Sequence, residues 1–203
     1  QQDLYIPPLA VSGQPVTPKE CEVQRDDVYD RVIPALDPDI IIGMNLGYEL
    51  PGQVIQYRGS DEKTLKNGSP EFNELLERTT SASVEQLKGD HRRVVVLEPI
   101  PYAAFGFDPL VCLADAAVLE ACRFVVDPAV SGLEQIYRTI DGDDDQMWSV
   151  DIDGLVCPYA PICDPIVNSE VVRVDGSHLA RTFARTITPA IDAYFKQNLI
   201  LDP

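Results

Sequence analysis

The stretch Asp39-Ile40-Ile41-Ile42-Gly43-Met44 carries no polar side chain between Asp39 and Asn45. A strand with one wet face alternates apolar and polar residues. A short run that is apolar throughout belongs to a strand buried on both faces, as in parallel sheets covered by helices. Arg93-Val94-Val95-Val96-Leu97 repeats the pattern and is stopped by Pro99 and Pro101, and residues 148–152 read as a third, shorter strand. The intervening segments have helical spacing. Residues 21–36 predict a helix with Val23, Val28, Val32, Ile33 and Leu36 on one apolar face, ended by Pro34 and Pro38. Ser69-Pro70 supplies an N-cap followed by proline at the first helical position. The helix it opens carries Leu75, Leu76, Val84 and Leu87, with a break expected at residues 79–83. Residues 130–140 form another helix through Leu133, Ile136, Tyr137 and Ile140, and Leu179, Phe183, Ile187, Ile191 and Tyr194 recur along a last one. Residues 105–127 read as irregular. Helices alternating with β-branched strands predict an α/β protein with a largely parallel sheet.

The chain's 203 residues suit one domain with its own core, and 45% hydrophobic against 24% charged residues describe a folded chain. Sixteen Lys and Arg stand against 33 Asp and Glu, a formal charge of −17, which repels nucleic acid and anionic lipid headgroups. No run approaches the roughly 20 apolar residues that a membrane span needs. The sequence opens at Gln1 without Met, basic region or apolar leader, as a mature product, a trimmed chain or a fragment would.

Five cysteines occur, at 21, 112, 122, 157 and 163, with no CxxC and no His at zinc-finger spacing, so no metal site is expected. Cys157-Pro-Tyr-Ala-Pro-Ile-Cys163 reads as a short loop pinned by a disulfide. Cys112 and Cys122 are spaced to close a second, and Cys21 is left over. That reading places the chain outside the cytoplasm; the competing one leaves all five reduced.

The candidate chemistry lies in Val174-Asp175-Gly176-Ser177-His178-Leu179. Asp and His three apart on a turn can set a carboxylate against an imidazole nitrogen, fixing the tautomer and stabilising the imidazolium. The alternative is that Asp175 caps the last helix and His178 sits on its first turn. The other histidine is His91. Residues 141–145 (Asp-Gly-Asp-Asp-Asp) space carboxylates like a calcium loop. They lack glycine at the sixth position and have Ile152 in place of the bidentate Glu, so they read as a solvated acidic turn. Asp151 and Asp153 read as turn residues, and Tyr48, Tyr102 and Phe105, where sugar-stacking rings would sit, read as packing residues.

The ordered set formed by Asp39-Ile40-Ile41-Ile42-Gly43-Met44-Asn45, the strand at 93–97, residues 150–158 leading to Cys163, and Asp175-Gly176-Ser177-His178-Leu179 resembles an SGNH-type hydrolase. More specifically, it is similar to the extracytoplasmic SGNH domain fused to membrane acyltransferase-3 proteins, which modify cell-surface glycans. The resemblance covers residues 11–199 and is best from Val150 onward. It implies a flavodoxin-like, three-layer α/β/α sandwich and ester chemistry without a cofactor. In that scheme a serine attacks an acyl carbonyl, His178 takes its proton, Asp175 orients His178, and Asn45 and Gly43 hold the oxyanion. It also implies a glycan or acylated small-molecule substrate and a parent protein containing a membrane acyltransferase domain.

One departure matters. The family's nucleophile lies in a Gly-Asp-Ser block after its first strand, and the chain has no such block. Gly59-Ser60-Asp61 has the letters in the wrong order. Ser12 aligns instead with a Ser-Gly-Cys-Pro segment in which Gln14 replaces the cysteine that would partner Cys21. The expectation is therefore one SGNH-like domain over residues 1–203 without its first strand, acting in O-acyl, specifically acetyl, transfer or ester hydrolysis. The alternative is a catalytically silent module that binds carbohydrate or protein.

Overall fold

The two β-branched runs are neighbouring strands of one parallel sheet, but burial on both faces holds only for the second. Val94, Val95 and Val96 are buried, whereas Ile42 and Met44 are exposed because Ile40–Met44 pairs on one side only among the described strands. The computed structural model describes residues 10–11, 14–15, 18–45, 47, 57–58, 64–103 and 106–201. Expectations for Ser12, the side chain of Cys21, Tyr48, residues 59–61 and Phe105 lie outside the described residues. The chain forms two compact units: Gln1–Glu98 with Val130–Val150, and Pro99–Ala129 with Asp151–Pro203.

In the first unit Arg93–Leu97 is the central strand, between Ile40–Met44 and Met147–Val150. Ile40 lies opposite Arg93 and Met44 opposite Leu97, while Val94 faces Met147 and Leu97 faces Val150. Parallel neighbours need long crossovers, and the helices Pro70–Lys88 and Gly132–Asp143 lie within them. Phe72, Leu75, Leu76 and Val84 from the first helix and Leu133 and Tyr137 from the second bury against Val94, Val96 and Met147. At about 1.5–3 kcal/mol for each large side chain removed from water, this cluster dominates the unit's stability. The chain is an α/β protein, as its alternation of helices and strands requires.

Both crossover helices start where side-chain chemistry dictates. Ser69 Oγ accepts from Phe72 N at 3.2 Å with Pro70 in the first turn. Ser131 and Glu134 form a reciprocal capping box. The break expected at residues 79–83 does not occur. Thr79 Oγ1 turns back to Leu75 O at 2.8 Å, so its hydroxyl is satisfied inside the helix. The third strand starts at Met147 and stops at Val150, short of the expected residue 152.

The segment at 21–36 needs a larger correction. It forms an α-helix Pro18–Asp27, a π-helical turn Val28–Val32 and a final turn Ile33–Leu36 that contains Pro34. Val23, Val28 and Leu36 are 61%, 42% and 73% exposed. Five residues at roughly 100° each set Val28 about 140° from Val23, so no common stripe forms. The π turn, in which Ile33 N donates to Val28 O, then shifts the pattern by another residue. Asp37, in the left-handed region at φ 44°, ends the segment.

The second unit is built from shorter pieces. Residues 105–127 are more regular than expected. Helix Pro109–Asp115 is capped by Asp108 Oδ1, which accepts from Leu110 N and Val111 N at 2.9 and 3.1 Å. A 3-10 turn follows at Leu119–Cys122, and Phe124–Val125 pairs antiparallel with Ile162–Cys163. Disulfides join Cys112 to Cys122 and Cys157 to Cys163. Cys157 and Cys163 are themselves core residues, packed with Ala103, Phe124, Val126 and Phe107. A hairpin pairs Ile166–Val167 with Glu170–Val171. Its two turn residues, Asn168 and Ser169, sit at φ 51° and 65°, as a two-residue primed turn demands. The final helix Arg181–Gln197 buries Phe183, Ile187 and Phe195. Among the described residues no helix is long and apolar enough to cross a membrane.

Candidate functional site

Asp175 and His178 share one closed turn in the second unit. Its stem is backbone: Arg173 bridges to Leu179, Val174 N donates to His178 O at 3.0 Å, and Ala180 N donates to Val172 O at 2.9 Å. Within the turn Asp175 Oδ1 accepts from Ser177 N and His178 N, each at 2.7 Å, and from Ser177 Oγ at 3.1 Å. Oδ2 faces His178 Nδ1 at 2.8 Å. The capping alternative fails, because the last helix begins only at Arg181 with Ala180 at its N-cap. Gly176 sits close to its neighbour: a Cβ there would stand 3.2 Å from the Phe107 carbonyl oxygen, a tight contact.

The arrangement divides the labour of the two carboxylate oxygens. Oδ1 takes the turn's bonds and also lies 3.1 Å from Nδ1, while Oδ2 serves the ring at the shorter 2.8 Å. Desolvation is the largest influence on Asp175 and pushes its pKa up. The bonds from Ser177 N, His178 N, the His178 ring and Ser177 Oγ together outweigh it and bring the carboxyl down to about 2. Facing an ionised carboxylate, Nδ1 carries the ring proton, which leaves the Nε2 lone pair free on a side chain 72% exposed. An imidazole held in this way can accept a proton through Nε2 and keep the resulting charge beside Asp175.

The other histidine also meets an aspartate. His91 Nε2 lies 3.2 Å from Asp37 Oδ1. Both residues precede their strands and so mark the amino ends of the sheet. Sites in parallel α/β sheets form at the carboxyl ends. In addition, this contact occupies Nε2, and both side chains are more than half exposed.

Gly43 and Asn45 belong to the first unit, where Gly43 lies in the first strand opposite Val96 and Asn45 follows its end. A Cβ at Gly43 would reach only ordinary contact, 4.0 Å from Val95 O, so local packing does not demand glycine. The acidic stretch at 141–145 is engaged in structure: Asp141 accepts from Ser149 N at 3.2 Å, and Asp144 pairs with Lys88 and accepts from Gln146 N at 2.8 Å. Asp151 Oδ1 accepts from Asp153 N at 2.8 Å, a turn contact.

Three participants escape a reading of the sequence alone. Ser177 supplies two of the bonds on Asp175, which Asp-x-Ser spacing signals as an Asx-type turn. Gly176 is signalled by the Asp-Gly pair. Arg173, sandwiched in the apolar run Val171-Val172-Arg173-Val174, is 1% exposed. A charged residue in a β-branched run announces nothing about which way it points.

A solved structure shares this fold. It is the periplasmic domain of a lipopolysaccharide acetyltransferase from Salmonella ser. Paratyphi A, similar with a TM-score of 0.50 at 12% identity over 83% of this chain and 62% of that one. At that identity the likeness concerns the fold, and the chain spans less than two thirds of the solved domain's length. No protein-family model matches the chain, and no curated protein does.

Proposed function

We propose that this chain is an extracytoplasmic SGNH-like module that serves O-acyl transfer, specifically of acetyl, or ester hydrolysis on a cell-envelope glycan. The observation that carries the reading is the Asp175–His178 turn, with Nδ1 held and Nε2 open. The shared fold of an acetyltransferase periplasmic domain supports it, as do two disulfides of the kind that persist in oxidising compartments.

In this reading His178 Nε2 removes the proton of a serine hydroxyl as its oxygen attacks the acyl carbonyl carbon. Asp175 stabilises the imidazolium that forms. Collapse expels the first alcohol, which takes the proton back from Nε2. A glycan hydroxyl or water, deprotonated by the same nitrogen, then carries off the acyl group. The nucleophile comes from a segment of the parent protein outside residues 1–203, in a protein that also contains a membrane acyltransferase domain. A second reading, a silent SGNH-like module that binds carbohydrate or protein, is favoured by one observation: the absence of a Gly-Asp-Ser block.

Hydrolysis of p-nitrophenyl acetate by the full-length parent protein and its His178→Ala variant separates the two. Loss of the base should slow turnover on the order of 10³-fold or more. Equal rates would end the catalytic assignment of His178.

A further inference from the structure

Among the described residues Arg173 is the largest side chain buried almost completely, at 1% exposure, and most other charges there face solvent. Its guanidinium donates through Nη2 to the Pro101 carbonyl and stacks over the Phe124 ring at 5.8 Å from the centroid, while Nη1 is buried with no hydrogen-bond partner. Burying a cation with an unmet donor opposes folding, and where stability alone matters an apolar side chain of similar volume serves better. The cost calls for a role.

The position of Arg173 supplies one. Its backbone is the stem residue opposite Leu179, so Asp175 and His178 hang from it directly. Its side chain fixes that stem to Pro101, and Gly176 leaves room for no more than a tight approach to the Phe107 carbonyl. We infer that Arg173 is a positioning residue for the Asp175–His178 pair: its buried guanidinium anchors the turn to the chain at Pro101 and so holds the turn's hydrogen bonds to Asp175 in place.

This rests on reading Asp175 and His178 as a carboxylate and a base. Burial lowers the Arg173 pKa to about 10, against the opposing influence of Tyr102, Asp153 and Asp175, so the group remains a cation at neutral pH. Arg173 does not touch the ring that moves protons; it acts through Asp175.

The test is NMR titration of the full chain. In wild type the Asp175 carboxyl carbon should titrate near 2, and the His178 ring should show a protonated, hydrogen-bonded Nδ1. Arg173→Met keeps the volume and removes both the charge and the donor. Without the anchor the turn's bonds from Ser177 and His178 to the carboxylate loosen, so the Asp175 midpoint should rise from about 2 toward the ordinary 3.8, and the Nδ1 proton signal should weaken or vanish. A merely structural arginine would leave the midpoint near 2 in the folded variant, and that result overturns the inference. The reciprocal variant Asp175→Asn changes a partly exposed residue and does not depend on Arg173→Met folding. There the Arg173 guanidinium resonances should shift and exchange faster with solvent; unchanged resonances also overturn the inference. Absence of the Nδ1 bond in wild type would instead strike the proposed base pair itself.

Discussion

Each unit contains a carboxylate bonded to a cationic or basic side chain, and the two differ in what they leave unsatisfied. In the first unit Glu98, 2% exposed at its side chain, takes Arg138 as a two-pronged partner, Nε at 2.9 Å and Nη2 at 2.6 Å, and accepts from Ser149 Oγ at 2.7 Å. In the second, Asp175 is 43% and His178 72% exposed, and the partner retains a free nitrogen at the surface. The first pair seals its carboxylate from solvent behind a partly exposed Arg138 and serves the fold. The second is held firmly on one side and open on the other, which is what acid–base chemistry requires. The supports differ likewise: a packed sheet-and-helix core in the first unit, and two disulfides with a buried arginine in the second.

The largest effect should come from breaking the closed pair. Arg138→Met leaves Glu98 buried without its counter-charge and should destabilise the first unit by about 3–5 kcal/mol. Trp148, the chain's one tryptophan, lies in the third strand of that unit, and its fluorescence during urea unfolding reports the loss. Adding Glu98→Leu should restore most of it, since an apolar pair of similar volume needs no counter-charge. If Arg138→Met proves neutral, Glu98 is not held by that arginine and the contrast between the two pairs fails.

Removing the Cys157–Cys163 bridge should rank next. Replacing both residues with Ala frees a short loop and removes two core side chains, together about 2–3 kcal/mol. The readout is hydrogen exchange at Phe124 and Val126, whose side chains pack on that disulfide. Exchange as slow as wild type would show that the short strands of the second unit stand without their staple.

How much of this was legible in the sequence follows the same division. The parallel sheet was readable because Ile40–Met44 and Val94–Leu97 are apolar at every position, a pattern with few other structural outlets. The crossover helices were readable from Ser69-Pro70 and from the spacing of Leu133, Ile136 and Tyr137. The segment from Pro18 to Leu36 was misread because a π turn changes the period that the apolar spacing assumes. Pro109–Asp115 was missed because a short helix held by an Asp108 cap and a disulfide needs little periodicity. At the site, the Asp175–His178 spacing was visible, yet the same spacing also fits a helix cap. The choice between them depended on the Arg173–Leu179 stem, a pairing across the turn that no residue type announces. The burial of Arg173 was illegible for the related reason that it depends on Pro101 and Phe124, far along the chain.

The smallest effect concerns the open pair's own contribution to stability. The folded Asp175 carboxyl lies at about 2, below its ordinary 3.8, with the hydrogen bonds of the turn overcoming desolvation. A group whose folded pKa is depressed contributes stability that is fully present above its unfolded pKa and is lost as pH falls through the folded one. The window here is therefore roughly pH 4 down to pH 2. Because the side chain is 43% exposed, solvent screening reduces the contribution to about 1 kcal/mol at most. Asp175→Asn should thus be slightly less stable than wild type near neutral pH and indistinguishable from it once wild-type Asp175 is protonated. Paired urea unfolding curves across that window check both halves. A loss at neutral pH as large as that of Arg138→Met would mean that Asp175 serves the fold as Glu98 does. A small loss beside a large fall in esterase rate would mark a carboxylate placed for the imidazole it orients.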